Sequence, residues 1–230
     1  MKIIIVGLGG IGTIFVNRLC RFIQYSNTDL LRDVHIHLVD GDEYEEKNYS
    51  RQEFMGLGNK AEIKKRELSR KFAKIYFTTF DKYLNETNLP EQITEDTIVC
   101  LCVDNHKTRK VVSDHCSKLN NIILISGGND WTDGNVQIFV KREGKSLTPD
   151  LTMWHSEIAN PEDKSPEDMS CEELSKSEPQ LYFANLTAAT IMCWTFWNVV
   201  IQNDIETSEV YFDIELMAAR SVGRNVKTTN

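Results

Sequence analysis

The chain has 230 residues, which suits one domain or one domain with a small appendage, and 41% of them are hydrophobic, enough for a sizeable core. Its formal net charge of −8 and pI ≈ 5.2 argue against a general nucleic-acid binder, which would carry a basic face. They do not exclude a phosphate ligand, because a local nest of backbone N–H groups needs no global positive charge.

Met1 runs directly into an apolar strand with no cleavage site, and no apolar run reaches the roughly 18 residues of a membrane span, so no membrane partner is expected. The nearest such run, Ala188–Ile201, is interrupted by Thr195 and Asn198 and reads as a buried helix. Six scattered cysteines without a C-x-x-C pair fit a reducing, cytoplasmic setting and argue against a structural zinc site.

In chain order, Lys2–Val6 is a short β-rich run that meets Gly7-Leu8-Gly9-Gly10-Ile11-Gly12. Ile11, Ile14, Phe15, Leu19 and Phe22 then recur at helical spacing. Val34–Asp40 reads as a second strand, Lys60–Phe72 as a helix and Lys74–Thr79 as a third strand. Thr97–Val103 is a continuous apolar run, as expected of a strand buried on both faces. Lys107–Leu119 is helical in character, Ile122–Ser126 is a strand closed by Gly127-Gly128, and Gln137–Lys141 is another short strand. Strands alternating with helices predict an α/β fold, Rossmann-like, with a mostly parallel sheet and covered faces. Residues 1–142 form the expected nucleotide-binding core. The polar stretch 143–180 reads as a long, mobile crossover loop. Residues 181–220 supply a C-terminal helix (Gln180–Gln202) and strand (Glu209–Leu216), and the tail from Ser221 is expected to fray. Trp194 and Trp197, with Ile191 and Val200, form a stripe at helical spacing that reads as core packing.

In G-x-G-x-x-G, Gly7 permits the tight turn, Gly9 lets the backbone approach a phosphate, and Gly12 lets helix and strand pack closely; Gly10 belongs to the same loop. The first helical turn offers free N–H groups to an anion. Asp40 ends the second strand 28 residues after Gly12, where a carboxylate can accept ribose hydroxyls. Up to this point NAD and ATP fit equally well.

The segment from Val39 to Gln52 holds Asp40, Asp42, Asn48, Arg51 and Gln52, spaced as V-D-x-D … N-x-x-R-Q. Lys60 follows eight residues later in Gly58-Asn59-Lys60-Ala61, and Asp104-Asn105 with Arg109 follows the fourth strand. This set, spanning residues 1–140, resembles the ThiF/MoeB family of adenylating enzymes, whose fold ubiquitin-activating enzymes share. The resemblance implies ATP- and Mg²⁺-dependent adenylation of the C-terminal carboxylate of a small ubiquitin-like protein or peptide, by a homodimer. It implies ligand contacts from Gly7, Gly9, Gly10, Gly12, Asp40, Asp42, Asn48, Gln52 and Asn105, and catalytic parts for Arg51, Lys60 and Asp104. Fixed cations such as Arg51 and Lys60 stabilise the charge that builds on a pyrophosphate leaving group. Asp104, at a strand end in the ligand crevice, is the expected Mg²⁺ ligand, with an N-cap of the helix from Lys107 as its other reading.

Cys171 lies in Ser170-Cys171-Glu172-Glu173, where family members often carry a cysteine, and is the candidate thiol for a later transfer. Neighbouring Asp168, Glu172 and Glu173 oppose its ionisation, so an incidental loop cysteine is the competing reading. Family members also carry an N-terminal arginine that reaches the partner's site; this chain starts at the first strand, and Arg18 or Arg21 are the stand-ins. Two other readings remain open at this stage: a catalytically degenerate nucleotide- or protein-binding member, and an NAD(P)-dependent oxidoreductase.

Overall fold

The first strand, β1 (Lys2–Val6), carries four consecutive branched apolar residues, and each is buried. Strand alternation sends Ile3 and Ile5 into one core cluster and Ile4 and Val6 into another, so the strand must lie in the middle of a sheet covered on both faces. The computed structural model describes residues 1–50, 52–164 and 181–226. After β1 come α1 (Gly10–Tyr25), β2 (Val34–Val39), β3 (Glu43–Tyr44), β4 (Gly58–Asn59), α2 (Lys60–Lys71), β5 (Ile75–Phe80) and α3 (Leu89–Gln92). The chain continues through β6 (Thr97–Leu101), α4 (His106–Cys116), β7 (Ile122–Asn129), β8 (Asp133–Arg142), β9 (Lys145–Ser146) and α5 (Ser156–Ala159). It ends in α6 (Tyr182–Phe196), β10 (Glu209–Asp213) and β11 (Ala218–Val222).

The main sheet runs β11-β10-β8-β7-β6-β1-β2-β5, with β9 paired to β8. Strands β5, β2, β1, β6 and β7 are parallel; β8, β10 and β11 extend the sheet antiparallel. This is the expected Rossmann-like α/β fold with a mostly parallel sheet. Helices α1, α2 and α6 bury residues in one core, and α3, α4 and α5 in the other. From β1 the chain moves to β2 on one side and later to β6 on the other. That reversal opens a crevice at the carboxyl ends of β1 and β6, the usual ligand position in such sheets.

Four expectations change. Strand β7 does not stop at Ser126 but runs through Gly127 and Gly128 to Asn129, because β8 pairs with it along its whole length. In the 143–180 stretch, the described part is structured: it holds β9 and α5, and Leu151 and Ile158 are buried in the second core. The last strand ends at Asp213, whose Oδ1 accepts from the N–H groups of Glu215 (2.9 Å) and Leu216 (3.0 Å). That Asx-type turn sends the chain back as the edge strand β11, whose last two residues, Ser221 and Val222, belong to the tail expected to fray. Finally, Trp194 and Trp197 are 56% and 43% exposed; the buried face of α6 is Ala184, Ala188, Ala189, Ile191, Met192 and Phe196. The helical stripe is real, but small residues pack the core side while the tryptophans face out, Trp197 meeting Phe22 edge-on at 5.6 Å. By length and composition Tyr182–Ile201 is apolar enough to cross a membrane, and half of it is buried in this fold.

Candidate active site

Gly7 turns the chain at φ +87°, and a Cβ there would meet the Cys102 carbonyl at 2.8 Å. Gly12 is held to glycine by closeness alone: a Cβ would lie 2.0 Å from Gly7 O. The loop is therefore wedged between β1 and the turn after β6, where Cys102 N–H donates to Val6 O at 2.7 Å. No side chain caps α1, and among the described residues the N–H groups of Gly9, Gly10, Ile11 and Gly12 have no acceptor. A Cβ on Gly9 would find no heavy atom nearer than Gln52 Nε2 at 4.0 Å, so open space adjoins these donors. Free N–H groups, open space and a helix N-terminus fit a phosphate group.

Asp40 fastens this loop to the end of β2. Its Oδ2 accepts from Leu8 N–H at 2.6 Å and its Oδ1 from Asp42 N–H at 2.9 Å. Burial pushes its pKa up, partly offset by Lys60 and by those two N–H groups. A carboxylate oxygen can accept twice, so this duty leaves capacity for ribose hydroxyls. Tyr44, which the sequence reading passed over, is fully buried and donates its hydroxyl to Leu8 O at 2.9 Å.

Lys60 opens α2 directly against Asp42. Asn59 caps the helix by accepting from Glu62 N–H (3.1 Å), while its Nδ2 donates to the carbonyls of Asp40 (3.0 Å) and Asp42 (3.3 Å). The Lys60 ammonium, 8% exposed, lies 2.5 Å from Asp42 Oδ2. Burial alone would lower its pKa, but the carboxylates of Asp40, Asp42 and Asp104 outweigh it and hold Lys60 above its ordinary value. The result is a buried, permanently charged cation joined through Asp40 and Asp42 to the glycine loop.

Asn48 and Gln52 approach from the next segment. Asn48 closes the short turn Glu46–Asn48 by accepting from Glu45 N–H at 2.9 Å, a structural duty that occupies its oxygen. Gln52 is buried and its Oε1 has no partner among the described residues. Behind them, Lys64 pairs with Glu67 at 2.7 Å and donates to Glu53 O, Glu67 accepts from Met55 N–H, and Tyr182 donates to Glu53 at 2.7 Å. Beside Gln52 a cavity of ≈ 310 Å³ opens, lined also by Asn17, Arg18 and Lys71. Of the two stand-in arginines, Arg18 thus faces the space that Gln52 faces.

Asp104 is exposed on the turn after β6, and its charge reaches both Lys60 and Arg109. The N-cap of α4 is Asn105, which accepts from Thr108 N–H at 2.8 Å. This corrects one expectation, since Asp104 does not cap the helix, and it gives the Asn105 oxygen a structural duty at the cap beside the ligand contact expected of it. Asp163 accepts from His106 and Lys107 N–H at 2.5 and 3.1 Å, so the α4 N-terminus already holds an anion. Arg109 is buried and donates to Val103 O (2.9 Å) and Gly127 O (3.2 Å), tying the ends of β6 and β7. Among the described residues no three His, Cys, Asp or Glu gather as a metal site. Mg²⁺ binds through one or two carboxylates plus phosphate and water, and the exposed carboxylate of Asp104 is of the kind that would hold it together with a bound phosphate.

Arg51 and Cys171 lie outside the described residues. Burial pushes up the thiols of Cys20, Cys100, Cys102, Cys116 (to about 12) and Cys193 (to about 11), which disfavours the thiolate form in all five.

A glycine loop at the switch point of a parallel sheet, with a buried lysine beside it, defines a Rossmann-like domain. More specifically, the chain belongs to the ThiF family, whose model matches residues 1–220. In structure it is similar to E. coli MccB with ATP, 20% identical, TM-score 0.71, over 96% of this chain and 63% of that one. The microcin C7 biosynthetic enzyme MccB in complex with N-formylated MccA is comparable, at 20% identity and TM-score 0.73, covering 96% and 64%. PaaA follows at 18% identity and TM-score 0.69, covering 96% and 63%. The chain spans a little under two thirds of the length of these neighbours. No curated protein matches the sequence.

Proposed function

We propose that the chain uses ATP and Mg²⁺ to adenylate the C-terminal carboxylate of a peptide or a small ubiquitin-like protein. The observation that carries this reading is Lys60, buried, charged and linked through Asp40 and Asp42 to a glycine loop with unfilled N–H donors. Family membership supports it and displaces the oxidoreductase reading. The neighbour MccB has been captured with ATP and with the peptide MccA, which favours a peptide-like acceptor.

ATP supplies the adenylyl group: a carboxylate oxygen of the partner bonds to the α-phosphorus, the α–β anhydride bond breaks, and pyrophosphate leaves. The protein's share is electrostatic and positional. The α1 N-terminus holds phosphate oxygens, Lys60 and Arg51 stabilise charge on the leaving group, and Asp104 holds Mg²⁺. Asp40 orients the loop and accepts from the ribose. The family resemblance implies a homodimer, the scattered cysteines fit a cytoplasmic setting, and transfer to the Cys171 thiol would show as a hydroxylamine-labile adduct missing from Cys171→Ser.

The test is ATP–pyrophosphate exchange with Mg²⁺, with and without peptides and small proteins bearing a free C-terminal carboxylate. Exchange that needs the acceptor and disappears in Lys60→Ala, Arg51→Ala and Asp104→Ala supports the reading. ATP binding without exchange for any acceptor turns it into the degenerate nucleotide binder. No ATP binding refutes it.

A further inference from the structure

The α6 helix carries Asn185 near its start, fully buried, and among the described residues neither Nδ2 nor Oδ1 has a hydrogen-bond partner. A buried carboxamide left without partners forfeits its hydration with nothing in return, so such a group calls for an explanation such as a ligand. Its surroundings indicate which ligand. A Cβ on Gly10 would lie 2.3 Å from Asn185 Nδ2 and 2.9 Å from Oδ1, so the amide rests directly against the first residue of α1. At the neighbouring Gly9, a Cβ would find Gln52 Nε2 as its nearest heavy atom, at 4.0 Å, and among the described residues Gln52 Oε1 also has no partner. Two buried carboxamides from elements far apart in the chain, one lacking any partner and one lacking a partner for its oxygen, thus adjoin the loop whose own N–H groups have no acceptor among the described residues. The loop carbonyls offer no relief: Thr13 Oγ1 donates to Gly9 O (2.8 Å) and Gly10 O (3.3 Å).

The geometry points to Asn185 as a nucleotide-binding residue whose amide N–H donates to a phosphate oxygen held at the start of α1. The assignment rests on the ATP reading above. It makes Gly10 a paired requirement, since any side chain there would push the amide away. Asn185 thereby links the helix that follows the crossover segment to the phosphate site.

The experiment compares ATP and adenosine as competitors of a fluorescent adenine nucleotide, and separately measures the melting temperature of the nucleotide-free protein, for wild type, Asn185→Ala and Asn185→Asp. ATP affinity is expected to fall about tenfold in Asn185→Ala and further in Asn185→Asp, whose carboxylate faces the phosphates. Adenosine affinity stays unchanged, and the nucleotide-free Asn185→Ala protein melts no lower than wild type, because it has lost two unsatisfied buried atoms. A purely structural asparagine would give the reverse: a lower melting temperature and an unchanged ratio of ATP to adenosine affinity, which overturns the assignment. If wild type binds ATP and Asn185→Ala binds it equally well, Asn185 is not a ligand contact while the ATP reading stands. If wild type binds neither ligand, the ATP reading fails first and takes this assignment with it.

Discussion

Replacing Lys64 by methionine tests how the segment carrying Gln52 is held in place. Lys64 is completely buried and its partner Glu67 nearly so, at 0% and 7% side-chain exposure, with 2.7 Å between charges. Lys64 also donates to Glu53 O, and Glu67 accepts from Met55 N–H, so one ion pair secures both ends of residues 53–55. Removing only the cation leaves a carboxylate buried and unpaired, at a cost of about 3–5 kcal/mol. For a chain of this length each kcal/mol lowers the melting temperature by roughly 2–4 °C, so the variant should melt about 6–20 °C lower by calorimetry. The double variant Lys64→Met, Glu67→Gln removes both charges yet keeps a carbonyl acceptor for Met55. It should recover at least about 2 kcal/mol of that loss, a coupling that a double-mutant cycle in urea would measure. A single variant within about 3 °C of wild type would refute the reasoning, because Glu67 would then be finding water or a proton without cost.

Gly12→Ala should abolish measurable nucleotide binding and lower stability by at least about 1–3 kcal/mol, since its Cβ meets backbone at 2.0 Å; an ATP affinity within twofold of wild type would contradict the close packing. Lys60→Met should reduce ATP affinity and pyrophosphate exchange by at least about a hundredfold, from loss of a buried phosphate cation; exchange within tenfold of wild type would place the cation elsewhere. His155, 2.7 Å from both Glu157 and Glu209, has a pKa lowered by burial but raised overall by those carboxylates. Its stabilising share is therefore complete below the unfolded value near 6.5 and lost as pH rises through the folded value, so the melting advantage of wild type over His155→Gln should shrink from pH ~6 to pH ~8.

What the sequence revealed and what it hid divide along chain distance. The glycine loop, Asp40, Asp42 and Lys60 were readable because each function is set within a few residues: a turn, a strand end, a helix start. Asn105 and Asp104 show the limit of that locality. Both residues can cap a helix, and only the backbone after β6 decides that Asn105 reaches Thr108 N–H while Asp104 stays exposed. Trp194 and Trp197 show another limit, because a helical stripe has two sides and composition favours the larger residues for the core. Here α6 packs closely on α1 and β7, a fit that small residues such as Ala184, Ala188 and Ala189 allow. Asn185 gave no signal at all: nothing near it in sequence marks it, and its significance comes from Gly10, which lies at the other end of the chain. The hairpin of β10 and β11 was half-read for a related reason, since an Asx turn inside a polar run looks like an ordinary loop.

The acidity of the chain and its proposed anionic ligand are compatible because the charges that matter are local. A net −8 spread over the surface is screened within about 8–10 Å at physiological salt. Lys60 is not exposed to that average; it is buried beside Asp42, with Asp40 and Asp104 acting on it. Those three acids do more than offset it. In a low-dielectric site an isolated ammonium would shed its proton, and the carboxylates keep it charged so that it can meet a phosphate. The same acids oppose an incoming anion, and the site answers with neutral donors: the free N–H groups of α1, which carry partial positive charge and need no counterion. In the proposed reaction, backbone donors for binding and one acid-supported cation for the leaving group would therefore suffice without a basic protein.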